Sequence, residues 1–280
     1  MDMAHLLTLT QTDALTPLDP PSLETILSSP PFIPIPSTFN ARDLGLLPNS
    51  PIRPGLVYRT GGFLSGISPE GKAFLAGRLG IRKVFDLRTA REHARQPDPE
   101  VDGVEMVWVP PEEVEGGAMV KLEEFVEGSG ERGYARMYLD VLRVYKGGIR
   151  GVLEQVRDGR GKEAVLFHCN AGRDRTGVVA GLLLTLAGAS AETIAFDYML
   201  TRIGFEPARE QLLGLLAKGM VTSVDAPGFL NLANMRVSCW DAFVKAVEAE
   251  YGGFEGYVRG TLGFSEEDIA KIKSNLVLQN

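Results

Sequence analysis

The 280-residue sequence contains only two cysteines, Cys169 and Cys239, and three histidines. Two cysteines cannot make a disulfide framework and their spacing matches no zinc site, while His5, His93 and His168 are too scattered to form a ligand cluster. The protein is therefore expected to work in a reducing, cytoplasmic compartment without a metal or other cofactor. Positive charge is also scarce: 29 Lys and Arg face 36 Asp and Glu, a net charge of −7. No global field then draws the chain to nucleic acid or anionic lipid, and an anion site has to be built locally. Neither a nucleic-acid partner nor stable membrane association is expected. No apolar run reaches the roughly 18 residues of a membrane span, and the longest, Val178–Ala187, reads as a core helix. The first residues, Met1–Thr16, lack the basic stretch of a secretory leader.

A 44% apolar and 23% charged composition supports one large core. Seven prolines between residues 14 and 36 oppose a long helix, so residues 1–36 are expected to form an extended arm and 37–280 a single domain. Strands are expected at Leu56–Arg59, Lys83–Leu87, Val104–Val109 and Ala164–Phe167. A helix capped by Ser68 follows the first, and another is expected over Tyr134–Val156, weakened at Gly147-Gly148. The acidic stretch 110–133 is a candidate lid. Further helices are expected near 176–186, 191–202, 206–217, 239–251, 254–262 and 266–278, so the carboxyl-terminal third reads as all helix. Strands alternating with helices imply an α/β fold with a small, mostly parallel sheet and a ligand site beyond the strand ends.

At such an end stands His168-Cys169-Asn170-Ala171-Gly172-Arg173-Asp174-Arg175-Thr176-Gly177. An apolar strand, a glycine-containing turn and an apolar helix aim backbone N–H groups and a helix dipole at one anion. A cysteine opening that turn is favoured as a thiolate nucleophile. Six residues on, Arg175 returns beside it when the loop wraps a tetrahedral anion, and its planar fork binds two phosphate oxygens. Residues 170–175 are thus candidate phosphate ligands, with Thr176 donating to the Cys169 sulfur and His168 orienting the loop.

This segment resembles the signature of the protein-tyrosine-phosphatase superfamily, in the Ala-Gly-Arg-Asp-Arg-Thr-Gly form of its atypical microbial members. Asn40-Ala41-Arg42-Asp43-Leu44-Gly45, Asp86-Leu87-Arg88-Thr89 with Glu92, and Asp197–Thr201 are similar to further motifs of that family. The resemblance implies the cysteine-phosphatase fold and a cysteinyl-phosphate intermediate. Phosphotyrosine protein, or another soluble phosphoester, is the implied substrate; phosphoserine, phosphoinositides or inositol phosphates are alternatives. A phosphate-binding pseudophosphatase and a thiol redox protein are rival readings, opposed by the joint presence of Cys169 and Arg175.

Three groups compete as general acid. Asp174 resembles the position used by atypical phosphatases and lies within reach of the leaving oxygen, although it could instead pair with Arg175. Glu112 or Glu113 could arrive on a mobile loop. Asp86 ends a strand on the same side of the sheet as Cys169, although it could equally pair with Arg88 or Arg42 and only hold the site together. Arg42, Asp43, Arg88 and Glu92 are expected to support the loop from behind.

Overall fold

A computed structural model describes residues 3–112, 120–220 and 223–278. Five strands, β1 (Arg42–Asp43), β2 (Val57–Thr60), β3 (Lys83–Asp86), β4 (Glu105–Trp108) and β5 (Val165–His168), form one sheet in the order β1-β2-β5-β3-β4. Only β1 runs antiparallel to its neighbour. The α/β arrangement with a mostly parallel sheet is therefore present, and β5 is its central strand. Every residue of β5 is buried, as an unbroken apolar run flanked by parallel strands requires. Register places Thr60 and Asp86 on either side of His168, so three strands end together where the chain turns at Cys169.

The proline-rich arm is not extended. It forms α1 (Met3–Thr10) and α2 (Pro20–Leu27), the latter started by prolines at its first positions, where a missing N–H costs nothing. Leu6, Ala14, Leu18 and Ile26 join the main core, so burial overrides the local preference that seven prolines suggested.

Short helices α3 (Pro69–Ala73) and α4 (Ala90–Arg95) follow β2 and β3, begun by Ser68 and by a Thr89–Glu92 capping box. The helix expected over 134–156 is two, α5 (Glu131–Val144) and α6 (Lys146–Asp158), broken at Tyr145 rather than at the glycines. Gly148 and Gly151 lie inside α6 because side chains there would press on Leu87 and Phe85 of the sheet region. They serve close packing.

Beyond β5 the named elements are helices: α7 (Asp174–Ala187), α8 (Ala191–Gly204), α9 (Arg209–Met220), α10 (Phe229–Ala233), α11 (Val237–Tyr251), α12 (Gly253–Gly260) and α13 (Glu266–Leu276). The all-helical third is as expected, apart from the unanticipated α10. α7 is buried around most of its circumference, which its apolar sequence allows. Among the described residues no helix is long and apolar enough to cross a membrane.

Candidate active site

Residues 169–173 form the turn between β5 and α7, and three fastenings hold their carbonyls outward. Gly62 N–H donates to Asn170 O at 2.9 Å. Asn40 Nδ2 donates to Ala171 O and Gly172 O, both at 3.0 Å, and Arg59 Nη2 donates to Gly172 O at 2.6 Å. In a trans peptide the N–H points opposite the carbonyl, so the N–H groups of Ala171, Gly172 and Arg173 face the other way, into one cradle. Gly172 has φ +62°, and a Cβ there would strike the Thr60 carbonyl. Only glycine fits.

The donors behind the loop are themselves locked. Arg42 donates to Asp197 Oδ1 at 2.7 Å, to the Asp197 carbonyl and to Thr201 Oγ1; Arg59 pairs with the other oxygen of Asp197. Both arginines are fully buried. Burial and the neighbouring Arg59 charge pull Arg42 down to about 10, against the opposing pull of Asp197. For Asp197 burial works upward, yet the two guanidinium charges outweigh it and keep the carboxyl below its usual range. Arg42 is thus a support for the loop. Asp43 takes the N–H groups of Gly45 and Gly55 and fixes a turn.

A second buried network lies beneath His168. Its Nε2 sits 3.0 Å from Asp98 Oδ2 and its Nδ1 3.3 Å from Cys169 O. Burial lowers the proton affinity of His168, but the Asp98 charge and hydrogen bond outweigh it, and the net shift is upward. Arg88 binds both oxygens of Asp86 and reaches Asp98 at 2.6 Å, while His93 Nδ1 lies 2.8 Å from Asp86. Despite its burial, Asp86 is held below its usual range by Arg88 and the nearby histidines. Of the two readings of Asp86, the pairing with Arg88 is the one present, and its carboxylate is engaged on both oxygens as an anchor. Asp86, Asp98 and His168 bring ligand-type atoms within 4.8 Å of one another, but the Arg88 guanidinium already bridges the two carboxylates.

On the open side a cavity of about 370 Å³ is lined by Cys169, Asn170, Ala171, Arg173, Asp174 and Arg175, together with Glu92 and Tyr145. Glu92 grips Arg175 with both oxygens, at 2.6 and 3.1 Å, and accepts from Asn170 Nδ2 and from Thr89. One side chain thereby caps α4 and clamps the loop arginine. Burial pushes Glu92 upward, but the Arg175 charge and these hydrogen bonds prevail and hold it at about 2. Tyr145 lies under the Arg175 guanidinium at 5.7 Å.

Asp174 does not pair with Arg175. Its Oδ1 accepts from Arg173 Nε and from Tyr138 OH, each at 2.9 Å. Arg173, expected among the phosphate ligands, has its guanidinium occupied by Asp174, the Ala233 carbonyl at 2.9 Å and the Tyr134 ring face. Nor does Thr176 reach the Cys169 sulfur; its hydroxyl is fully buried and has no partner among the described residues. Glu112 pairs with Lys146 at 2.7 Å and is not part of the cavity lining. Glu113, and with it the middle of the candidate lid, lies outside the described residues.

Sequence reasoning overlooked Arg59, Asp98, Tyr138 and Tyr145. Arg59 alone left a signal, as a charged residue ending an otherwise apolar strand. The others come from segments joined to the site only by tertiary packing.

A family model described as "Tyrosine phosphatase family" matches residues 33–278. A tyrosine-protein phosphatase of Nostoc commune is 31% identical over 208 residues, covering 71% of this chain and 67% of that relative. The triple specificity protein phosphatase PtpB of Mycobacterium tuberculosis is 27% identical over 278 residues, covering 87% of this chain and 98% of the relative. The resemblance seen at residues 40–45, 86–92, 168–177 and 197–201 thus extends along most of the chain.

Proposed function

This chain belongs to the tyrosine phosphatase family, enzymes that hydrolyse phosphomonoesters, and we propose that Cys169 and Arg175 carry its reaction through a cysteinyl-phosphate intermediate. The carrying observation is that Cys169, Arg175 and a loop with its carbonyls fastened outward share one cavity. Glu92 occupies one edge of the Arg175 fork. The other edge, Nε with the second Nη2 hydrogen, takes two phosphate oxygens, and the N–H groups of Ala171, Gly172 and Arg173 take the remaining charge.

The Cys169 thiolate attacks phosphorus in line, the S–P bond forms and the P–O bond to the alcohol breaks. Asp174 Oδ1 is held by Tyr138 and Arg173, which leaves Oδ2 to carry the proton to the leaving oxygen. In the second step the Asp174 carboxylate takes a proton from water, the water oxygen bonds to phosphorus, and the S–P bond breaks to restore the thiolate.

Phosphotyrosine protein is the leading substrate; the relative named for triple specificity supports acceptance of further phosphoamino acids. Two unpaired cysteines support a reducing cytoplasm, and the net charge of −7 opposes nucleic acid and anionic membranes as partners. The domain is residues 37–280, preceded by an arm over 1–36 whose Leu6, Ala14, Leu18 and Ile26 complete its core. Turnover of phosphotyrosine peptides in EDTA tests this reading: wild type is active, and Cys169→Ser loses on the order of 10⁶-fold, the scale of nucleophile removal in enzymes that form covalent intermediates. Activity near wild type in that variant rejects it.

A further inference from the structure

Across the cavity from the loop stands α9, whose Leu212, Leu213, Leu216 and Gly219 lie at i, i+1, i+4 and i+7, on one helical face. These leucines are only half-buried. Helix α5 and the end of α10 continue the apolar lining with Met137 and Leu232. The cavity is therefore polar where Cys169, Arg175 and their neighbours stand and at Asp140 on α5, and mostly apolar over the rest of its wall.

Two features decide what that wall receives. A second phosphate finds no spare cation, because Arg173 is already engaged and Glu92, Asp140 and Asp174 outnumber the two lining arginines. A polar group would lose water against leucine without a hydrogen-bond partner in return, whereas an apolar group gains by burying half-exposed leucine surface.

We infer that the cavity takes phosphotyrosine together with an apolar side chain adjacent to it in the peptide, and that Leu212, Leu213 and Leu216 set this preference; the inference rests on the phosphatase reading of the same cavity. The phosphate and ring occupy the space at Cys169, and the neighbouring side chain lies on α9. α9 is thus a specificity element that takes no part in the bond-breaking steps.

Two phosphotyrosine peptides differing only in the residues flanking the phosphotyrosine, leucine in one and the near-isosteric asparagine in the other, provide the test. Wild type should show a kcat/KM about tenfold higher for the leucine peptide, the scale of one well-buried apolar group. In Leu212→Asn/Leu216→Asn that ratio should fall toward one, whatever happens to the absolute rates. Should the double variant fail to fold, nonhydrolysable phosphonate analogues of the two peptides, used as competitive inhibitors of wild type, should differ in Ki by the same factor. Equal kcat/KM or equal Ki with wild type overturns the inference while leaving the phosphatase reading intact. A ratio that survives in the folded double variant removes α9 from the role. Failure of wild type to hydrolyse either peptide or phenyl phosphate would instead reject the phosphatase reading.

Discussion

The turn at residues 169–173 is supported by Asn40, Arg42, Arg59 and Asp197, all nearly or fully buried, whereas α9, which shares its cavity, keeps Leu212, Leu213, Leu215 and Leu216 half-buried. Buried charge is costly unless each group is paired and hydrogen-bonded. Here that cost accompanies a loop whose carbonyls have one permitted direction. The leucine side has no such constraint, since apolar contact is non-directional. The difference separates a surface that must hold geometry for chemistry from one that needs only a shape.

The largest effect on stability should come from breaking the buried charge network. Asp197→Ala leaves Arg42 and Arg59 facing each other unpaired, a loss of about 3–5 kcal/mol, read by denaturant unfolding. A loss below 1 kcal/mol would place the loop's rigidity elsewhere. Glu92 should contribute next. Its folded value of about 2 lies below its ordinary 4.5, so its stabilisation is complete above pH 4.5 and disappears as pH falls toward 2. Between pH 5 and 2 the wild type should lose on the order of 3 kcal/mol more than Glu92→Gln. Parallel curves would show that the Arg175 clamp adds nothing to stability.

In the first step, read as the pre-steady-state burst of released alcohol, Asp174→Asn should slow the reaction of alkyl phosphates by about 10²-fold while affecting nitrophenyl phosphate much less, because nitrophenolate leaves unaided. Equal losses on both substrates would reduce Asp174 to a partner of Arg173 and Tyr138. Smallest of all, Leu213→Ala on the half-buried wall should cost about 1 kcal/mol of stability or less, below the range for fully buried leucines.

The same contrast explains what was legible in the sequence. Residues 168–177 announce themselves because nucleophile, arginine, glycine and helix start must stand at fixed spacing along one segment. The central strand was legible too, since burial on both faces demands an unbroken apolar run. Asp98 and Tyr138 were not, because their partners lie 70 and 36 residues away along the chain and no local pattern records them. The arm was misjudged for a related reason: its prolines dictate local conformation, whereas Leu6 and Ile26 settle where it packs. Arg173 and Arg175 show the limit most directly. They are identical in type and two residues apart, yet one is tied to Asp174 and the other to Glu92.

That assignment converges on the Cys169 sulfur, and rapid acid quenching of the enzyme during turnover of a phosphotyrosine peptide, followed by mass spectrometry of its proteolytic fragments, tests it most directly. The fragment containing Cys169 should carry one added phosphoryl group, which is absent in Cys169→Ser and accumulates further in Asp174→Asn with a nitrophenyl substrate, where hydrolysis of the intermediate becomes slow. A phosphoryl group found on any other residue, or an unmodified Cys169 fragment under conditions where the intermediate must accumulate, would contradict it.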